Sequence, residues 1–128
     1  MQVTRRARVW IETDKWGAGS MLVLDEDADM IDVTRYFLQY LSDESCGKCV
    51  PCREGIRQML KILDNIKDGN GKKGDIALLE EISEVTGAAS LCALGKTAAD
   101  PLLSTLRYFR EEYEAKTGNV KSTKETRD

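Results

Sequence analysis

Three cysteines recur with two residues between neighbours in the run Ser45-Cys46-Gly47-Lys48-Cys49-Val50-Pro51-Cys52-Arg53. A fourth, Cys92, lies far downstream; these are all the cysteines of the chain, which has no histidine. Four thiolates satisfy a cubane iron–sulfur cluster completely. The short spacing lets one loop wrap three corners of such a cluster, and Cys92 closes the fourth once the chain folds back, which would couple cluster binding to folding. A zinc site of four cysteines wants the same ligands but usually draws them as two separated pairs, so three plus one favours the cluster. Disulfides suit the run poorly, because two residues between cysteines is awkward for pairing three of them and no secretory segment marks an oxidising destination. Buried, unliganded cysteines would be expected on apolar helix faces, whereas all four lie in glycine- or serine-containing stretches.

Neighbouring residues suggest how such a site is tuned. A cubane with four thiolates is anionic, and a helix beginning at Cys49–Cys52 would turn its unpaired N–H groups and positive dipole end toward it. Lys48 and Arg53 flank the ligands and could offset the same charge directly, or simply be solvated; Ser45 and Ser90, each shortly before a ligand, could hydrogen-bond a cluster sulfur or merely satisfy backbone. Gly47 frees the loop to curl, and Gly55, costly inside a helix by about 1 kcal/mol relative to alanine, suggests a close backbone approach.

No residue reads as catalytic. With every cysteine engaged and no histidine, ordinary thiol and imidazole catalysis has no residues to use, and the carboxylates fall mostly on exposed helix faces or in an acidic run. Gly69-Asn70-Gly71-Lys72-Lys73-Gly74 is glycine-rich but separates two helices instead of joining a strand to a helix, so it reads as a turn and not a phosphate loop. One-electron transfer is the chemistry left.

Positioning these residues falls to a chain of 128 residues, enough for one domain with a real core and too short for a nucleotide-binding sheet besides. Charged residues make up 32% and hydrophobic ones 41%, and the net charge of −3 predicts no affinity for DNA or RNA. No apolar stretch approaches the roughly 20 residues of a membrane span, so a soluble, cytoplasmic chain is expected.

The apolar runs Val9–Ile11 and Met21–Leu24 predict two short strands or one hairpin. Asp25, Glu26, Asp27, Asp29 and Asp32 form an acidic run, read as a solvated face. Val33, Tyr36, Phe37, Tyr40 and Leu41 then share one face of a first helix ending near Ser42. Pro51 suits the first turn of a second helix, lined by Ile56, Met59, Leu60, Leu63 and Ile66 and stopped at Gly69-Asn70-Gly71. Asp75 can cap a third helix bearing Leu78, Leu79, Ile82 and Val85, which gives way at Gly87 to a loop carrying Cys92. Asp100-Pro101 opens a fourth, with Leu102, Leu106, Phe109 and Tyr113 as its stripe. The expected fold is mainly α: a four-helix bundle over 31–116 with the cluster at one end, a short β or extended lead-in over 1–30, and a loose polar tail over 117–128.

The segments Glu44-Ser45-Cys46-Gly47-Lys48-Cys49-Val50-Pro51-Cys52-Arg53-Glu54-Gly55, Ser90-Leu91-Cys92-Ala93-Leu94-Gly95 and Ser104-Thr105-Leu106-Arg107-Tyr108-Phe109 closely resemble the C-terminal part of the NADH-binding flavoprotein subunit of respiratory complex I. The same region recurs in NAD-linked formate dehydrogenases and hydrogenases, and the resemblance runs from about Gly17 to Lys116. It implies that Cys46, Cys49, Cys52 and Cys92 bind a [4Fe–4S] cluster that takes electrons from a nearby flavin and passes them to further clusters. It also implies the four-helix bundle.

The family's upstream flavin- and NADH-binding domain has no counterpart in this sequence, nor has the ferredoxin-like extension that some hydrogenase relatives carry downstream. FMN and NAD(H) are therefore expected only through a partner chain or a further domain, and Met1 favours a natural small subunit over a piece of a larger one. The expected function is an electron-transfer module of an NAD(P)H-linked oxidoreductase complex, with no catalytic site of its own. Its expected partners are a flavin-bearing protein and other iron–sulfur subunits, with the chain at most peripheral to a membrane complex. A zinc-stapled interaction module and a redox-sensing cluster protein are the alternatives.

Overall fold

The computed structural model of the protein describes residues 3–4, 7–12 and 20–118, with side chains from Leu22 onward. The expected hairpin is present and slightly longer than the apolar runs. Strand β2 (Ala7–Glu12) pairs antiparallel with β3 (Ser20–Leu24), Val9 facing Val23 and Trp10 facing Leu22, and β1 (Val3–Thr4) lies on the other edge of β2.

Helix α1 (Met30–Glu44) begins a turn earlier than its apolar spacing suggested, because Asp29 is its N-cap: the Asp29 carboxylate accepts the Ile31 N–H at 2.9 Å. The buried face is accordingly Met30, Ile31, Thr34 and Leu38, while Tyr36 and Tyr40, expected inside, stand exposed. Two members of the acidic run are thus structural. Asp29 also pairs with Lys116, and Asp32 receives the Lys67 ammonium at 2.6 Å.

Helix α2 (Val50–Lys67) has Pro51 in its first turn, where a missing N–H costs nothing. It packs against both α1 and α3 (Asp75–Ala89), burying Cys52, Ile56, Met59, Leu60, Ile62, Leu63 and Ile66. Gly69, at φ +79°, ends it: the Gly69 N–H returns to the Ile66 carbonyl and Asn70 to that of Asn65. Gly55 of α2 lies against Thr86 of α3 so tightly that a Cβ at position 55 would be 3.1 Å from the Thr86 Cβ. This is the close approach the helical glycine suggested.

Asp75 does not cap α3. Gly74 occupies that position at φ +102°, and the Asp75 carboxylate, already in the first turn, accepts the Lys72 N–H at 2.8 Å. Likewise Asp100 is the first residue of α5 (Asp100–Tyr108), with Ala99 at the cap position. A short helix, α4 (Ala93–Thr97), follows Cys92 where only loop was expected.

The fourth long helix is broken. Phe109 leaves helical geometry at φ −126°, ψ 30°, separating α5 from α6 (Arg110–Lys116). The break carries Tyr113 into the core, where its hydroxyl lies 2.8 Å from Thr105 Oγ1, which in turn is 2.9 Å from Thr34 Oγ1. Thr34 also donates to the Met30 carbonyl at 2.8 Å, so three buried hydroxyls from α1, α5 and α6 satisfy one another inside an otherwise apolar interior.

Mainly α is therefore the architecture found, and among the described residues no helix is long and apolar enough to cross a membrane. The expected tail from 117 starts with a buried residue, Thr117, while 119–128 lie outside the described residues.

Candidate metal centre

The cysteine run bridges the end of α1 and the start of α2. Gly47 turns the chain at φ +71°, a conformation that favours glycine, and the Arg53 guanidinium donates to the Gly47 carbonyl at 2.6 Å, holding the loop against the first turn of α2. Arg53 thus shapes the loop as well as charging it, whereas Lys48 stands exposed. Cys49 is the N-cap residue of α2, its carbonyl accepting the Arg53 N–H at 3.2 Å, and Cys52 is buried one turn into the helix. Cys46 is exposed and Cys49 half-buried.

Cys92 lies between α3 and α4. The end of α3 delivers Ser90, Leu91 and Cys92 to the run, with Cys92 at the N-cap of α4 and exposed. Two observations fix this meeting. The backbone N–H of Leu91, followed by that of Cys52, bears on the Cys49 sulfur; with the Arg53 charge they hold its thiol below the ordinary range, against the opposing push of desolvation. Second, Gly95 lies against both segments: a Cβ there would be 2.5 Å from Ser90 Cβ and 3.0 Å from Cys52 Cβ. Only a hydrogen fits between the fourth cysteine's loop and the third cysteine.

The two serines differ in setting. Ser45 Oγ lies 3.4 Å from Cys52 Sγ and accepts the Gly47 N–H at 3.3 Å. Ser90 is buried, and its Oγ has no hydrogen-bond partner among the described residues.

All four cysteines are free thiols, and among the described residues no three cysteine or carboxylate side chains converge on one point. Four thiolates can serve a single tetrahedral ion or a cubane cluster. The residues fit such a group: thiols at one end of a bundle, backbone N–H groups from α2 and from Leu91 turned to a sulfur, and a buried hydroxyl still lacking an acceptor. Sequence reasoning missed Gly95 and Leu91, since the reach of a backbone N–H across two helices leaves no signature in residue spacing.

Known proteins resemble this chain in sequence and in fold. The profile described as the NADH-ubiquinone oxidoreductase-F iron-sulfur binding region matches residues 32–116. The NADP-reducing hydrogenase subunit HndC of Solidesulfovibrio fructosivorans is 46% identical over 99 residues, covering 77% of this chain and 20% of its own. The mitochondrial NADH dehydrogenase (ubiquinone) flavoprotein 1 of Dictyostelium discoideum is 39% identical over 98 residues, covering 77% of this chain and 20% of its own. The chain therefore spans about a fifth of the length of these relatives. Among solved structures, an NAD+-reducing [NiFe]-hydrogenase in the H2-reduced state superposes with a TM-score of 0.72 at 30% identity, over 77% of this chain and 17% of that one. By the match over residues 32–116, which takes in all four cysteines, the protein belongs to the family of NADH-ubiquinone oxidoreductase-F iron–sulfur binding regions.

Proposed function

We propose that Cys46, Cys49, Cys52 and Cys92 together hold one [4Fe–4S] cluster, and that the protein relays electrons between a flavin on another chain or domain and further iron–sulfur clusters of an NAD(P)H-linked oxidoreductase complex. The observation that supports this reading is the packing of the Ser90–Gly95 segment, which holds Cys92, against the cysteine run, with Gly95 lying on both Ser90 and Cys52. Bound there, the cluster supplies reversible one-electron oxidation and reduction.

The chain's own residues do the rest. Cys49 and Cys52 present thiolates at the positive end of α2, and the N–H groups of Leu91 and Cys52 favour the ionised sulfur at Cys49. Arg53 holds the loop through Gly47 and adds positive charge, and the bundle fixes the thiols relative to one another. In this reading residues 31–116 are the cluster-binding unit, with 1–30 as lead-in and 117–128 as tail. FMN and NAD(H) belong to a partner or further domain, other iron–sulfur subunits are the acceptors, and the setting is cytoplasmic. The relatives named as an NADP-reducing hydrogenase subunit and an NADH dehydrogenase flavoprotein support this placement.

Anaerobic loading with iron and sulfide tests the proposal. The expected result is about four irons and four acid-labile sulfides per chain, with a spin signal on reduction, and a loss of both on Cys92→Ala. A stable zinc-loaded protein without sulfide would overturn it in favour of a structural module. A loaded cluster that accepts no electrons from a flavoprotein partner would favour a sensor.

A further inference from the structure

Ser90 is in an unusual position for a hydroxyl. It is only 3% exposed, its side-chain oxygen has no partner among the described residues, and its backbone is already committed, the N–H donating to the Thr86 carbonyl at 3.2 Å as the C-cap of α3. A buried hydroxyl without an acceptor costs stability, and alanine would remove that cost with almost no change of shape. Its neighbours indicate where the proton can go. Gly95 is pressed between Ser90 and Cys52, so the hydroxyl and the carbon that bears the buried thiol border the same small space. Ser45 touches the same sulfur from the loop preceding α2, and because it already accepts the Gly47 N–H, its own proton is free for Cys52.

We infer that Ser90 is a hydrogen-bond donor to the cluster corner held by Cys52 and, with Ser45, makes that corner easier to reduce; this rests on the cluster reading above. Donors to cluster and thiolate sulfurs stabilise the reduced, more negative state and so raise the potential. The serine is a positioning and tuning residue and not a ligand. In the metal-free fold it is a liability, and its only use is to a sulfur that arrives with the cluster.

The test uses the full chain, loaded anaerobically with iron and sulfide, in three forms: wild type, Ser90→Ala and Ser90→Thr. Iron and sulfide content of the wild type is measured first; if neither is present the cluster reading itself has failed, and the inference falls with it. With the cluster in place, a mediated redox titration followed by electron paramagnetic resonance should show Ser90→Ala harder to reduce. At the wild-type midpoint its reduced-to-oxidised ratio should fall about tenfold, or about 59 mV for one electron. Ser90→Thr, which keeps the hydroxyl, should stay near the wild type, and the metal-free Ser90→Ala protein should unfold no more easily than the wild type. Retention of a cluster by Ser90→Thr alone, at the wild-type potential, would also support the donor role. A Ser90→Ala cluster that titrates with the wild type, a Ser90→Thr cluster that shifts as alanine does, or loss of the cluster from both variants would overturn it.

Discussion

Gly55 on α2 and Thr86 on α3 meet with no room for a methyl group between them, and this contact sets how near the two helices that carry Cys52 and deliver Cys92 can come. Gly55→Ala is therefore expected to destabilise the protein by about 1–3 kcal/mol through overpacking, although alanine favours a helix intrinsically. Thr86→Ala should recover most of the loss in the double variant, because it removes the hydroxyl and methyl that the new Cβ would strike. Urea unfolding of the four-member cycle measures the coupling, and additive single effects would disprove the contact.

Gly95→Ala should act on the proposed metal centre as well as on the fold. Its Cβ would displace Ser90 or Cys52, so cluster loading, measured as iron and sulfide per chain, should fall severalfold, with about 1–3 kcal/mol of stability. Gly87→Ala is the control. Its Cβ would meet only the Lys96 carbonyl at 3.4 Å, and loading should be unchanged.

Acid should weaken the start of the bundle. Burial tends to raise the Asp29 carboxyl, but Lys116 and the Ile31 N–H outweigh it and hold the group below its ordinary value of 3.8. Because the folded value is the lower one, this contribution is complete above about pH 3.8 and is lost as pH falls through the folded value. Asp29→Asn keeps a capping oxygen but removes the charge facing Lys116 and the helix end, so it should cost about 0.5–1 kcal/mol at neutral pH, and the difference from wild type should narrow below pH 4. Urea midpoints from pH 3 to 7 check this, and a gap that stays constant would contradict it.

Tyr113 predicts the opposite limb. Burial raises its hydroxyl pKa above 10.0, against the lowering effect of Thr105 and Thr34. The unfolded phenol would therefore ionise first, so stability is retained below pH 10 and declines above it. Tyr113→Phe should cost about 1 kcal/mol at neutral pH, leaving Thr105 and Thr34 to pair alone, and should reduce the alkaline decline. Stability of the two proteins at pH 8 and 11 separates these effects.

Much of the fold could be read from residues whose effect is local. Pro51, Gly69 and the apolar positions of α2 act within one turn of themselves, and the structure has them as expected. Features that depend on a distant partner could not be read this way. Asp29 looked like one charge in an acidic run because neither its capping role nor Lys116 is visible in composition. The stripe Leu102, Leu106, Phe109 and Tyr113 is indeed buried, yet the same spacing is compatible with a straight helix, and the break at Phe109 answers to the hydroxyls of Thr34 and Thr105. At the candidate centre the three-plus-one cysteines gave an expected ligand set and nothing of its surroundings. The packing of Gly95 on Ser90 and Cys52 required the tertiary structure.

The ion pair between Asp29 and Lys116 joins residues 87 positions apart, one at the entry to the helical unit and the other at its exit. A unit whose two ends lie side by side can be spliced into a host polypeptide, or carried at its edge, without the host having to span the bundle. With both ends on one side, the helical unit places almost no demand on whatever chain flanks it.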